Sequence, residues 1–394
     1  MNSTHKQNVL IVHNQYQLAG GEDTVSENEG RLLQEHGHKV CFYLRNNTEI
    51  QSMNPFQKAL SALGTVFSIK SYREIRKLIR DNRIEVVHVH NTVPLVSCSV
   101  YYAAKAEGCT LVQSIHNFRM VCPSGLMIRS GQVCDDCIKK GLACAVKHGC
   151  YKNSKLYSLL LAGSMAVHRK LGSYKKVDGF LVTTDFNRRM LETFIPPDKI
   201  FLKPYYSDSA TRSPEGKKRE YYIYISRLEH LKGIQIALAA FKEMPEKKLL
   251  VLGVGPDEEE SHNFVQDHEM KNVEFLGFKS KGEMVDLLYH AKALIFPTQW
   301  YEGFPMTIVE SLAVGTPIIG SNIGNVGTIV KDGVNGLLFQ YDDPSDLVKK
   351  VQYLDEHPNM ARQLETGAQQ AFLDSHTPDA IYELTKKIYT TLRK

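Results

Sequence analysis

The chain has 394 residues, 43% of them apolar and 23% charged, an ordinary globular balance long enough for two domains of roughly 150 to 200 residues each. Gly and Pro are not in excess, and no stretch repeats at a period of a few tens of residues, which argues against disordered and solenoid classes. The longest mostly apolar run, Leu156 to Val167, is about half of the roughly 20 residues a membrane-spanning helix requires. The polar opening MNSTHKQNVLIVHN does not read as a secretory leader, so the expectation is a cytoplasmic protein.

In the first half, short apolar runs alternate with longer amphipathic ones: Val9 to Val12, Glu22 to Glu35, Lys39 to Leu44, Tyr72 to Asn82, Val86 to His90, Leu95 to Ala106 and Leu111 to Ile115. That alternation predicts βα units feeding a parallel sheet. Ligands of such sheets sit beyond the carboxyl ends of the strands. The first loop of this kind holds Gly20-Gly21, directly before Glu22-Asp23. Paired glycines let backbone amides approach an anion at a helix start; acidic residues there also complete an ordinary structural turn.

Five of the eight cysteines, Cys122, Cys134, Cys137, Cys144 and Cys150, fall within 29 residues, and Cys134-Asp-Asp-Cys137 has C-x2-C spacing. In a cytoplasmic chain such clustering favours thiolate coordination over disulfides. Cys122, Cys134, Cys137 and Cys150 would make a closed, structural zinc site stapling an insertion over about 118–152; reduced thiols and a redox role are the alternatives. Beyond it, nine Lys or Arg and no Asp or Glu lie between Lys139 and Val177, against a net +5 for the whole chain. This stretch reads as a solvated helix face, as a surface for anionic lipid or an anionic acceptor, or as a nucleic-acid contact. Tyr151, Tyr157 and Tyr174 are too sparse for a base-stacking platform, so no nucleic-acid partner is expected.

Ser207 to Glu220, SDSATRSPEGKKRE, is the linker-like segment, and the alternation restarts after it with Tyr221 to Ile225, Gly233 to Phe241, Leu249 to Gly253, Val273 to Leu276, Lys281 to His290 and Ala293 to Phe296. The expected fold class is therefore α/β: two Rossmann-like domains, 1–206 and 207–377, facing a central cleft, with the Cys-rich insertion in the first. From Pro344 the tail reads as three polar-faced helices, Ser345 to Glu356, Met360 to Leu373 and Pro378 to Thr391, packed outside the second sheet. The last, 378–394, is also able to pack back on the first domain.

The loops of the second half carry the most chemistry. Ser226 to Gly233 delivers Arg227 and Lys232 from one strand end; two cations there would clamp a diphosphate, or stand as exposed loop charges. Gly253-Val254-Gly255-Pro256 again places small residues where a ligand would approach. FPTQWYEGFPMTIVESLAVGTPII, Phe296 to Ile319, bends at Gly303 and Pro305 before a helix from about Thr307 to Val314, whose first amides, near Met306 to Ile308, suit phosphate oxygens. Glu302 in the loop and Glu310 in the helix would accept from sugar hydroxyls, one from a hexose and one from a ribose, or serve as surface charges.

ISRLEHLKG, VEFLGF, the Phe296 to Ile319 stretch with its E-x7-E spacing, and GVNGLLF, in that order, resemble the C-terminal domain of GT-B glycosyltransferases, specifically the retaining family four (group 1). In the first half the resemblance is carried by Gly20-Gly21, by His116 in SIHNFR and by TTDFNRRML. It implies that Arg227 and Lys232 hold the nucleotide diphosphate and stabilise its departure. By the same resemblance Glu310 accepts from the ribose, Glu302 contacts the transferred sugar, and the backbone from Phe304 through Pro305 and Met306 to Thr307, after Gly303, contacts sugar and phosphate. Gly277-Phe278 would hold the base, and His116 would face the donor sugar. The family frequently has Asp after that histidine, where this chain has Asn117. The chemistry implied lets the leaving diphosphate's own oxygen take the acceptor proton, with no side-chain nucleophile and no catalytic divalent metal, and no Asp-x-Asp metal motif occurs. The expected partners are a nucleotide-sugar donor, UDP by default, and a glycan or lipid-linked acceptor, with peripheral contact at the inner face of an anionic membrane through 139–177. Two rival readings are a nucleotide-sugar epimerase of the same architecture and a zinc-containing nucleic-acid module.

Overall fold

The structure, a computed structural model, describes residues 6–17, 21–209, 211–212 and 219–393. The chain divides into two compact units, one of Met1–Met127, Cys134–Lys203 and Tyr382–Lys394, the other of Ile128–Val133 and Pro204–Ile381.

In the first unit β1 (Asn8–Gln15), β2 (Lys39–Asn46), β3 (Val86–Val89) and β4 (Thr110–Ile115) precede the cysteine segment, where β5 (Ile128–Arg129) and β6 (Gln132–Val133) form a small antiparallel hairpin assigned to the second unit. β7 (Gly179–Val182) and β8 (Ile200–Leu202) complete a six-stranded sheet in the order β2-β1-β3-β4-β7-β8, every pairing parallel. Central strands such as Val9 to Val12 are continuous apolar runs because helices cover both faces of such a sheet and no solvated side alternates in; all four residues are fully buried.

The second unit repeats the plan with β9 (Tyr221–Ile225), β10 (Leu249–Leu252), β11 (Val273–Gly277), β12 (Ala291–Phe296), β13 (Ile318–Ser321) and β14 (Gly336–Phe339), all parallel, in the order β11-β10-β9-β12-β13-β14. The period-two pleat of β9 divides its side chains between two cores: Tyr222 and Tyr224 join one, Tyr221, Ile223 and Ile225 the other. Counted from its first strand, this order is 3-2-1-4-5-6, with the chain's direction of travel reversing between β9 and β12.

Two of the three tail helices, Pro344–Glu356 and Pro358–Ser375, pack on the second unit. The third, Pro378–Leu392, corrects the expectation that all three lie outside the second sheet. Its Tyr382 and Tyr389 are buried in the first unit, Tyr389 with its hydroxyl 2.7 Å from His88 Nδ1. Aromatic hydroxyls bury where a polar partner waits, and the partners are His38, just before β2, and His88 of β3. Among the described residues no helix is long and apolar enough to cross a membrane.

Candidate active site

The reversal between β9 and β12 leaves a crevice outside the strand ends, and the loops that open there are Ser226 to Gly233 and Pro297 to Pro305. Two glycines hold the neighbouring loops together. Gly233 has φ +75°, and a Cβ on it would lie 1.8 Å from Pro297 O; Gly253 has φ +129°, with Ser226 O 1.9 Å from its Cβ position. Only glycine permits such backbone approach. The Gly233 contact brings the β9 loop against the β12 loop, and Lys232 with it.

The consequence is an ion pair between two residues that the sequence assigns to separate parts of a ligand. Lys232 Nζ donates to both Glu302 oxygens, at 2.8 and 2.9 Å. Thr298 Oγ1 and Trp300 Nε1 donate to the same carboxylate at 3.0 and 2.8 Å, and the ammonium lies 4.9 Å from the Trp300 ring centroid. Glu302 is 6% exposed. A buried carboxylate with three donors is compensated as it stands. The bend that delivers it is fixed by Asn325, whose Nδ2 donates to the Glu302 and Gly303 carbonyls.

Arg227 takes the opposite role. Its side chain is 65% exposed, and its one ion pair among the described residues is with Glu229 at 3.6 Å. It lines a cavity of about 910 Å³ with Ser226, Gly253, Phe278 and Thr307. Phe278 is 81% exposed, a large apolar ring held in solvent beside that cavity. The helix Met306–Ala313 starts at Pro305 with no side-chain cap among the described residues, leaving its first turn open to an anion. Phe304 turns its ring inward against Tyr205, centroids 4.9 Å apart. Glu310 is not among the cavity's lining residues; it is buried one helical turn beyond Thr307, 4.0 Å from Lys281 Nζ. Burial pushes its carboxyl up to about 7, with Lys281 opposing and Asp208 adding. The structure thus groups Arg227, Phe278 and Thr307 around one cavity, joins Lys232 to Glu302, and sets Glu310 apart.

His116 follows β4 in the first unit, with Nε2 2.8 Å from His90 Nδ1. Burial pushes its pKa down to about 4, so the ring is neutral at physiological pH. It lines a cavity of about 680 Å³ with Glu22, His90, Gln113, Asn117 and Arg119, and among the described residues His90 Nε2 has no hydrogen-bond partner. Asn117 does not leave this region without a carboxylate: its Nδ2 donates to Glu22 Oε1 at 2.7 Å, and Tyr16 OH donates to Glu22 Oε2 at 2.8 Å. Glu22 was legible only as an acid in a first helical turn. Gly21 opens the helix Gly21–Glu35, where a Cβ would meet nothing within 4 Å; Gly20 lies outside the described residues.

In the insertion, the Cys137 thiol donates to Cys122 Sγ, which lowers the Cys122 pKa and raises that of Cys137, while Cys150 is close enough to act on Cys137 through its charge. A four-thiolate zinc site needs sulfurs about 3.8 Å apart. Among the described residues, the only group of three metal-ligating side chains with ligand atoms within 4.8 Å of one another is Glu29, His88 and His90. Cys122, Cys134, Cys137 and Cys150 are therefore not gathered into the expected tetrahedron, and only the Cys122–Cys137 contact fits it. The Glu29 group is itself occupied by hydrogen bonds: Lys203 Nζ lies 2.6 Å from Glu29, and both His88 nitrogens meet hydroxyls, of Tyr389 and Ser114.

Two family profiles divide the chain between them: "Glycosyltransferase Family 4" matches residues 19–204 and "Glycosyl transferases group 1" matches 208–371. An uncharacterised glycosyltransferase of Methanocaldococcus jannaschii is 32% identical over 33% of this chain and 36% of its own length. A glycogen synthase of Mycobacterium tuberculosis is 27% identical over 47% of this chain and 45% of its own. The N-acetylgalactosaminyltransferase of Campylobacter jejuni that acts on an undecaprenol-linked glycan is 27% identical over 51% and 57%. The chain thus spans about half the length of these curated relatives, or less. A glycosyltransferase of Rickettsia africae superposes with a TM-score of 0.69, 15% identity and 99% coverage of both chains. HepE of Anabaena, solved with UDP, superposes at 0.68, with 14% identity, over 98% of this chain and 100% of its own. The fold is GT-B, and the chain belongs to the group 1 glycosyltransferases of family 4.

Proposed function

We propose that the protein moves a sugar from a nucleoside diphosphate sugar, UDP-linked by default, to a glycan or lipid-linked acceptor in polysaccharide or glycoconjugate synthesis, with retention of configuration. The observation that carries this reading is the meeting, at the reversal of the second sheet, of Arg227, the Lys232–Glu302 pair and an uncapped helix start. In this reading Arg227 swings from solvent onto the diphosphate. Lys232 has three donors, so it bonds a phosphate oxygen while keeping Glu302 as its counter-ion. Glu302 accepts from a hydroxyl of the transferred sugar and Glu310 from the ribose, while the backbone N–H groups from Phe304 to Thr307, Pro305 excepted, donate to sugar and phosphate oxygens. As the glycosidic bond breaks, charge develops on the diphosphate, and positively charged groups already in place stabilise it. The diphosphate oxygen takes the acceptor proton on the same face. Because Arg227, Lys232 and helix amides meet the phosphate charge, transfer is expected to persist in EDTA.

The undecaprenol-linked acceptor of the Campylobacter relative favours a lipid-linked class here. A structural zinc anchored at Cys122 and Cys137 is a separate proposal, supported by their thiol contact. Equimolar zinc in the purified protein, lost in Cys122→Ser, tests it. For the reaction, purified protein is incubated with a panel of nucleotide sugars and a lipid-diphosphate glycan, and nucleotide release is followed. Acceptor-dependent release, with the anomeric configuration of the product read by NMR, supports the reading. Free sugar or epimerised nucleotide sugar without acceptor would replace it.

A further inference from the structure

The helix Lys155–Lys170 belongs to the first unit and contains no acidic residue. Its inner face is ordinary: Leu161, Ala162, Met165 and His168 are buried. Its outer face is not. Leu156 is 64% exposed, Leu159 54% and Val167 41%, and Leu171, the residue that caps its end, 66%. At 100° per residue Leu156, Leu159, Gly163 and Val167 form one stripe along the helix, so these are not scattered surface residues of the common kind. Tyr157 and Leu160, flanking the stripe, line a cavity of about 690 Å³ with Ala62 and Pro94, which extends the apolar surface below the helix.

Charge surrounds the stripe. Lys152 and Lys155 stand at its start and Lys170 and Lys175 at its end, all exposed. Lys139 and Lys140 of the same basic stretch are paired with Asp135 and Asp136, whereas Lys152, Lys155 and Lys170 form no ion pair among the described residues. A lysine in the first turn also opposes the helix dipole, which favours acids there; helix stability does not account for its placement.

We propose that this face docks the protein on an anionic lipid surface, the helix lying in the plane of the interface with Leu156, Leu159 and Val167 in the acyl boundary and the lysines at headgroup phosphates. Apolar burial alone holds such helices weakly, and each nearby lysine adds to it electrostatically. The assignment is independent of the proposed reaction, because none of these residues belongs to the second unit. The full chain is floated with vesicles of phosphatidylcholine, with and without phosphatidylglycerol, at low and raised salt. The expected result is binding to the phosphatidylglycerol vesicles that falls with salt. Leu156→Asp/Leu159→Asp should lower the affinity about a hundredfold, and Lys152→Ala/Lys155→Ala about thirtyfold, from about 1 kcal/mol per lysine. Leu373→Asp, at an exposed leucine of the second unit, should leave it unchanged. Far-UV circular dichroism verifies that each variant folds. Protein that stays unbound in phosphatidylglycerol, or a leucine double variant that floats like wild type, overturns the proposal. So does a dimer in sedimentation velocity that the double variant dissolves without any vesicle binding, which would give the face to a second copy.

Discussion

Lys232 and Glu302 are the residues whose roles are hardest to separate. Removing either member of a buried ion pair leaves the other charge uncompensated, at a cost of about 3 kcal/mol. Lys232→Ala and Glu302→Ala should therefore each destabilise the second unit by about that much, while the double variant loses less than the sum. Urea unfolding followed by the emission of Trp300, the single tryptophan, measures all three. Additive losses would show that the pair is not coupled. Arg227→Ala, at an exposed side chain, should cost under about 0.5 kcal/mol of stability yet lower turnover at least about a hundredfold. Glu310 differs again. Its folded pKa, about 7, lies above the ordinary 4.5, with burial as the main cause. A carboxyl raised in this way stabilises the fold while protonated, fully below about pH 4.5 and no longer once the pH passes 7. Glu310→Gln is thus expected to outlast wild type in urea by about 2 kcal/mol at about pH 8, the gap closing near about pH 5. A gap independent of pH would remove the titrating carboxyl from the account.

At the scale of elements, the two glycine loops make opposite predictions. Gly233→Ala must displace Pro297 and so pull the β9 loop from the β12 loop; donor binding, read by calorimetry, should fall below detection. Gly21→Ala meets nothing, so its stability should be unchanged, and any loss of donor affinity would come from the ligand's own approach. The elements themselves were largely legible, because strands buried on both faces are written as apolar runs and the helices between them keep their period: Lys281–His290 and Tyr221–Ile225 appear where the pattern puts them. Departures have local causes. The helix expected from Leu95 begins at Ser99, since Ser97 adopts a left-handed φ of 59° and its hydroxyl accepts from the Ser99 and Ser68 amides. The site was half legible. Loops at strand ends show in one dimension which residues reach the ligand region, but the Lys232–Glu302 pair depends on a backbone contact between loops 64 residues apart, Gly233 against Pro297. The Asn117–Glu22 bond likewise spans 95 positions.

At the scale of the whole molecule, the two units carry different acid sensitivities. Burial lowers the pKa of His88 and His116 to about 4, and those of His90 and His168 also fall, all in the first unit. In the second unit, burial lowers that of His376. A depressed histidine contributes stability above its ordinary pKa near 6.5 that is lost as the pH falls through the folded value. Acid should therefore unfold the first unit first. Far-UV ellipticity is expected to drop before Trp300 emission shifts, as Trp300 lies in the second unit; coincident transitions would contradict this. The return of the helix Pro378–Leu392 also sets an order for synthesis. Tyr389, which satisfies His88 across 301 positions, leaves the ribosome only after every strand of both sheets. The earliest-made sheet waits for it, His88 holding Ser114 through one nitrogen while the other lacks its hydroxyl.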